Sequence, residues 1–188
     1  DSTCATPVLS RPIKLGADIV MHSATKYLNG HSDVLAGSLT FADAATDLSA
    51  MVTRLRAQHG NVLGPFEAAM LLRGMRTLHV RVAHQCRSAE TLARHLVAHD
   101  AIEDVLYPGL EGAPGHALAA QQMSGGFGGM LSVRVKGGET AAVATAARLQ
   151  VWKRATSLGG VESLVEHRAS IEGPESPCPP DLLRLSVG

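Results

Sequence analysis

Hydrophobic and polar positions along the chain separate into short apolar runs and longer stretches with helical period. Asp18-Ile19-Val20-Met21 opens a run that reads as a short buried strand over residues 19–23. Val-Leu-Ala-Gly-Ser-Leu-Thr-Phe, over 34–41, reads as another buried strand with a glycine inside it. Strands this short, joined by short connections, suit the central sheet of an α/β domain. From 44 to 59 the period becomes helical through Leu48, Met51, Val52 and Leu55, until Gly60 and Gly64-Pro65 interrupt it. A second helix over 66–72 is expected to break or bend at Arg73-Gly74-Met75. Leu78, Val82, Ala89, Leu92 and Leu96 then mark one face of a long amphipathic helix, with Arg81, Arg87, Glu90 and Arg94 on a face read as solvated.

The second half continues in the same alternation. Strands are expected at 102–106, 130–135, 151–157 and 182–187, with helices at 116–123 and 140–149. Tyr-Pro-Gly-Leu (107–110) and Ser-Leu-Gly-Gly (157–160) read as turns, and Ser-Pro-Cys-Pro-Pro (176–180) as a rigid extended loop. The glycine-rich stretch 124–129 precedes a strand, whereas a phosphate loop follows a strand and opens a helix; it therefore reads as a flexible strand entry. At the start, 1–7 reads as a strand end and turn, and 11–17 as a short helical or turn segment closed by Gly16.

Composition narrows the function classes. The 188 residues are 45% hydrophobic and carry 17 acidic and 17 basic side chains. Zero formal charge gives no reason to expect nucleic acid or a membrane surface as partner, and 3% aromatics leave little for base stacking. Cys4, Cys86 and Cys178 are scattered without a C-x-x-C spacing, which argues against a disulfide framework or zinc site and fits a reducing, cytoplasmic setting. No apolar run reaches the roughly 20 residues of a spanning helix. His95 and His99 share an i, i+4 face, but no carboxylates nearby complete a metal set, so no metal is expected. There is no signal peptide and no initiator methionine, and the abrupt opening on Asp1 suggests a fragment.

The candidate chemistry lies in His-Ser-Ala-Thr-Lys-Tyr-Leu-Asn-Gly-His-Ser-Asp (22–33). Lys26 is delivered from a strand end into a loop of small donors, with Ser23 and Thr25 before it. Small donors can hold a phosphate, and a lysine can form a Schiff base with an aldehyde. A lysine in such a loop is also compatible with an ordinary solvated turn. Arg184, an isolated cation in an apolar β-like segment, needs a carboxylate partner. Either Glu162 or Glu166 serves, or the carboxylate of a substrate gripped by the guanidinium fork.

Beyond that loop, Asp-Ser-Thr-x-x-Thr-Pro (1–7), Leu-Leu-Arg-Gly-Met-Arg-Thr-Leu (71–78), Tyr-Pro-Gly-Leu (107–110), Gly-Gly-Phe-Gly-Gly-Met-Leu-Ser (125–132), Ser-Leu-Gly-Gly-Val-Glu-Ser-Leu (157–164) and Leu-Arg-Leu-Ser-Val-Gly (183–188) follow in order. With these motifs the whole chain resembles the C-terminal portion of the pyridoxal-phosphate enzymes of cysteine and methionine metabolism, the cystathionine synthases and lyases and methionine γ-lyase. The resemblance implies the type I, aspartate-aminotransferase-like α/β fold: residues 1–77 as the last part of a large, mostly parallel-sheet cofactor domain, and 78–188 as a smaller C-terminal α/β domain. It implies pyridoxal 5'-phosphate as cofactor, a small amino acid as substrate, and a homotetramer built as a dimer of dimers. The expected reaction is elimination or replacement at the β or γ carbon of a sulfur-containing or O-acylated amino acid. The alternative is an inactive fragment or pseudoenzyme lacking the upstream half of the cofactor site.

By that resemblance Lys26 is the cofactor-bearing lysine and proton shuttle, Ser23 and Thr25 hold the cofactor phosphate, and Asp1 pairs with the pyridine nitrogen. Thr3 is a further cofactor-site residue, and Ser157 with Arg184 binds the substrate carboxylate. The chain departs from the family pattern at several positions. Cys4 stands where an aromatic residue is usual and Ser2 where Asn is common. Thr156 stands where cystathionine-specific members tend to carry Glu, and Arg168 replaces a frequent Pro.

Overall fold

A computed structural model describes all 188 residues. The chain opens with α1 (Thr6–Leu9), where a strand end and turn were expected. Pro7 presets the helical φ in its first turn, and Thr6 enters it at φ +60°. A 3-10 turn over Pro12–Leu15 ends on left-handed Gly16, as its sequence suggested. β1 (Ile19–Ser23) then pairs antiparallel with β2 (Gly37–Phe41). The second strand starts later than its apolar run because Ala36 is held by Thr25 instead. β2 has β1 as its only partner, so it is largely exposed rather than buried, with Leu39 47% accessible.

α2 (Thr46–His59) buries none of its residues. α3 (Pro65–Met75) runs unbroken through Arg73-Gly74-Met75, where a break was expected, because Gly74 serves close packing and stays helical. α4 (Leu78–Val97) is the long amphipathic helix. Beyond it come β3 (Ile102–Leu106), α5 (His116–Gln122), β4 (Met130–Val135), α6 (Gly138–Arg148), β5 (Lys153–Arg154), β6 (Leu164–His167), α7 (Arg168–Glu172) and β7 (Leu182–Ser186). The strand expected at 151–157 shrinks to the two residues of β5, which pair only with β6 at the sheet margin.

Five strands form one mixed sheet in the order β3-β4-β7-β6-β5, antiparallel except for β5 beside β6. β7 is central and buried at four of its five positions. One core packs Ala89 and Ala93 of α4 against Val105, Leu131, Val133, Ala142, Val165, Leu183 and Leu185. A second packs Leu78, Val82 and Cys86 of the same helix against Leu9, Ala24, Tyr27 and Leu28. One helix thus closes two cores, and the second of them surrounds the lysine loop.

Candidate functional site

The loop after β1 is built by its own backbone. Lys26 N–H bonds the Ser23 carbonyl, Asn29 N–H that of Ala24, and Gly30 N–H that of Lys26. Tyr27, Leu28 and Asn29 are buried beneath it, leaving Lys26 half-buried above. Arg81, expected on a solvated face, is the brace of this loop. Its guanidinium donates to the carbonyls of Tyr27 (3.0 Å) and Gly74 (2.8 Å), and its Nε to Thr77 Oγ1 (3.0 Å). Burial lowers its pKa from the usual arginine value. Helical spacing held a signal for this, since Arg81 lies three residues after buried Leu78 and four before buried Gln85, on the flank of the apolar stripe.

Lys26 Nζ donates to Ser157 Oγ at 2.9 Å, and the Ser157 carbonyl accepts from Arg184 Nη2 at 2.8 Å. Three residues far apart in sequence therefore meet at one turn. Ser157 holds φ +84°, a strained conformation for a side chain with a Cβ. The turn is fixed from several sides: Gly159 N–H bonds Ser186 Oγ (2.8 Å), Gln85 donates to the Gly160 carbonyl (2.9 Å), and Val161 N–H bonds the Gly30 carbonyl (2.9 Å). Gly159 is required there. Its φ is +76°, and an added Cβ would stand 2.6 Å from the Tyr27 ring. Sequence reasoning missed Gln85 and Ser186; the only signal was their polarity inside apolar segments.

The other expected residues form a second group. Thr3 N–H bonds Asp1 Oδ1 (2.7 Å), Ser2 N–H the Met21 carbonyl (2.9 Å), and Ser23 N–H Thr3 Oγ1 (2.8 Å). Asp1 and Thr3 are thus sewn to the end of β1, beside Ser23, whose hydroxyl makes no bond within the chain. Thr25 Oγ1 accepts from Ala36 N–H (3.0 Å) and lies 3.3 Å from the Ala36 carbonyl, so it also closes the loop. No hydrogen bond or ion pair joins Asp1 to Lys26, whose Nζ bonds Ser157 instead. Asp1, Thr3 and Cys4 line a hollow facing Leu118 and Gln122 of α5. The exposed Cys4 has a thiol raised above the usual range by partial desolvation, against the opposing pull of the Arg184 and Lys26 charges. Of the two internal partners foreseen for Arg184, Glu166 is the one used, directly opposite it across the β6–β7 ladder; Glu162 instead lies 3.8 Å from Lys153.

An amine held by a hydroxyl, an unengaged hydroxyl at the adjoining strand end and a guanidinium behind the same turn suit α/β proteins that carry an aldehyde cofactor on a lysine. The chain belongs to the family of Cys/Met metabolism PLP-dependent enzymes, which it matches over residues 1–188. It is 46% identical over 193 residues to a cystathionine gamma-synthase of Mycobacterium bovis, covering 100% of this chain and 49% of that protein. An L-methionine gamma-lyase of Fusobacterium nucleatum is 42% identical over 196 residues, covering 100% and 49%. The crystal structure of cystathionine gamma synthase from Xanthomonas oryzae pv. oryzae, in complex with aminoacrylate and cysteine, superposes with a TM-score of 0.94. It is 41% identical, and the match covers 100% of this chain and 50% of that one. The chain spans about half the length of the curated relatives it matches. No helix is long and apolar enough to cross a membrane.

Proposed function

We propose that the full-length protein is a pyridoxal-phosphate-dependent enzyme of transsulfuration type. It eliminates or replaces a group at the β or γ carbon of a sulfur-containing or O-acylated amino acid, as a cytoplasmic homotetramer. The observation that carries this reading is the convergence of Lys26, Ser157 and Arg184 on one strained turn. The residues present suit the cofactor. Lys26 offers an amine, Ser23 an unengaged hydroxyl beside it, and Asp1 an exposed carboxylate tethered to the same strand end.

Ser23 and Thr25 would hold the phosphate, Asp1 would face the ring nitrogen, and Lys26 would carry the aldehyde carbon. The bound cofactor supplies an electron sink for the pair left when a substrate loses its α-proton. Lys26 Nζ takes that proton and returns it at a neighbouring carbon, and Ser157 Oγ keeps the amine aimed. Arg184 grips the substrate carboxylate, fixing which bond to the α-carbon lies in line for cleavage. Thr156, at the rim, carries no charge for a distal ammonium group.

The test is borohydride reduction of the full-length protein loaded with pyridoxal phosphate, followed by peptide mapping. A pyridoxyl mass is expected on the peptide containing Lys26 and lost in Lys26→Ala. The same mass on another lysine would overturn the assignment. A panel of cystathionine, methionine, cysteine and O-acylhomoserine then identifies the reaction.

A further inference from the structure

Arg184 is not a free guanidinium waiting for a ligand. Glu166, 5% exposed, stands opposite it in the β6–β7 register and forms an ion pair with its Nη2. The other oxygen of Glu166 takes Arg168 Nη1 at 3.1 Å. Arg168 also pairs with Glu172, four residues along α7, and Glu172 accepts the Ser176 hydroxyl. Charges therefore alternate in a row from the interior to the surface: Arg184, Glu166, Arg168, Glu172. Burial works against the charge of Arg184, and Glu166 supports it.

A carboxylate arriving at Arg184 competes with Glu166 for the same guanidinium. A buried carboxylate cannot be left without a partner, so Glu166 releases Arg184 only if another cation holds it. We propose that Arg168 is a positioning residue: it holds Glu166 so that Arg184 can turn its fork to a substrate carboxylate. This rests on the reading of Arg184 as the carboxylate-binding residue. Without Arg168, Glu166 would keep Arg184 to itself, and amino-acid affinity would fall while the rest of the pocket stayed intact.

The experiment titrates the full-length holoenzyme with L-alanine, and with L-alaninamide as a ligand lacking the carboxylate, following the cofactor's visible absorbance. Arg168→Ala should weaken L-alanine about tenfold, the worth of one charge-assisted hydrogen bond, and leave L-alaninamide unchanged. Arg168→Lys, which keeps the cation, should restore most of the affinity. Glu166→Gln, which removes the competing charge, should bind L-alanine at least as tightly as the wild type, alone or combined with Arg168→Ala. Unchanged L-alanine affinity in Arg168→Ala would overturn the proposal, as would equal weakening of both ligands or a loss of affinity in Glu166→Gln. Arg184→Lys tests the underlying reading separately: if it leaves L-alanine binding intact, the carboxylate role of Arg184 fails, whatever Arg168 does.

Discussion

Replacing Gly74 by alanine sets two effects against each other. Alanine is favoured over glycine in a helix interior by about 1 kcal/mol, and Gly74 lies inside α3 with ordinary helical geometry, so propensity alone predicts stabilisation. The added methyl, however, would stand 2.9 Å from the carbonyl carbon of Asn29 and 3.0 Å from its Cα, and nearer still to its oxygen. Ordinary contact begins at 3.4 Å, so the Asn29 backbone must retreat by at least 0.5 Å. It has little room, because Asn29 is 1% exposed, its N–H is bonded to Ala24 and its side chain to Asp33 (2.8 Å).

Overpacking costs about 1–3 kcal/mol, and with rigid backbone as the obstacle the upper end applies. A net loss of about 1–2 kcal/mol remains, and at about 2–4 °C per kcal/mol for a chain of this size the thermal midpoint should fall by about 2–8 °C. The displaced loop carries Lys26, and since a 1 Å misplacement can cost about 100-fold, a shift of at least half that should lower the activity of the full-length enzyme by about tenfold or more. Calorimetry and turnover on Gly74→Ala check both numbers. Gly37→Ala, which meets nothing within 4 Å, is the control. A midpoint equal to or above the wild type, with full activity, would refute the close-approach argument.

Arg81→Ala should lower urea stability by about 2–3 kcal/mol, because buried carbonyls lose a charged donor. Arg81→Lys should recover less than half of this, since an ammonium cannot span the Tyr27 and Gly74 carbonyls as the planar fork does; equal stability of the lysine variant would contradict the bracing role. Burial pushes the His22 imidazole below its ordinary range, so the unfolded chain binds that proton more readily. The stability linked to His22 is therefore complete above about pH 6.5 and is lost as pH falls toward its folded pKa. Urea titrations from pH 7 to 5 should show a shallower loss in His22→Asn than in the wild type, and parallel slopes would exclude the contribution.

How much could be read in advance depended on whether a segment's partners were local. β1, β3 and β4 were legible at their ends because each is a short segment carrying aliphatic residues and flanked by polar or turn residues. β6 was not, because Leu-Val-Glu-His is four residues long and draws its order from β5 and β7 on either side. β2 was recognised as a strand, but its burial was not, since burial depends on what lies across the sheet. In the candidate site, Lys26 was visible from its loop, and family resemblance tied it to Ser157 and Arg184. Arg81 was missed because its place on the flank of the apolar stripe does not tell whether its guanidinium meets solvent or the backbone carbonyls of a neighbouring loop.

The shared helix α4 has a mechanical consequence. Its first turns belong to the core around Lys26, and its later turns to the core of the five-stranded sheet that carries Arg184. Rotating one core against the other would mean bending an intact helix and tearing the Ser157 turn from both Lys26 and Gly30. The spacing between the amine and the guanidinium thus behaves as a rigid gauge. Under the proposed function, ligands would be measured against it, and adaptation to different side-chain lengths would fall to the walls of the pocket.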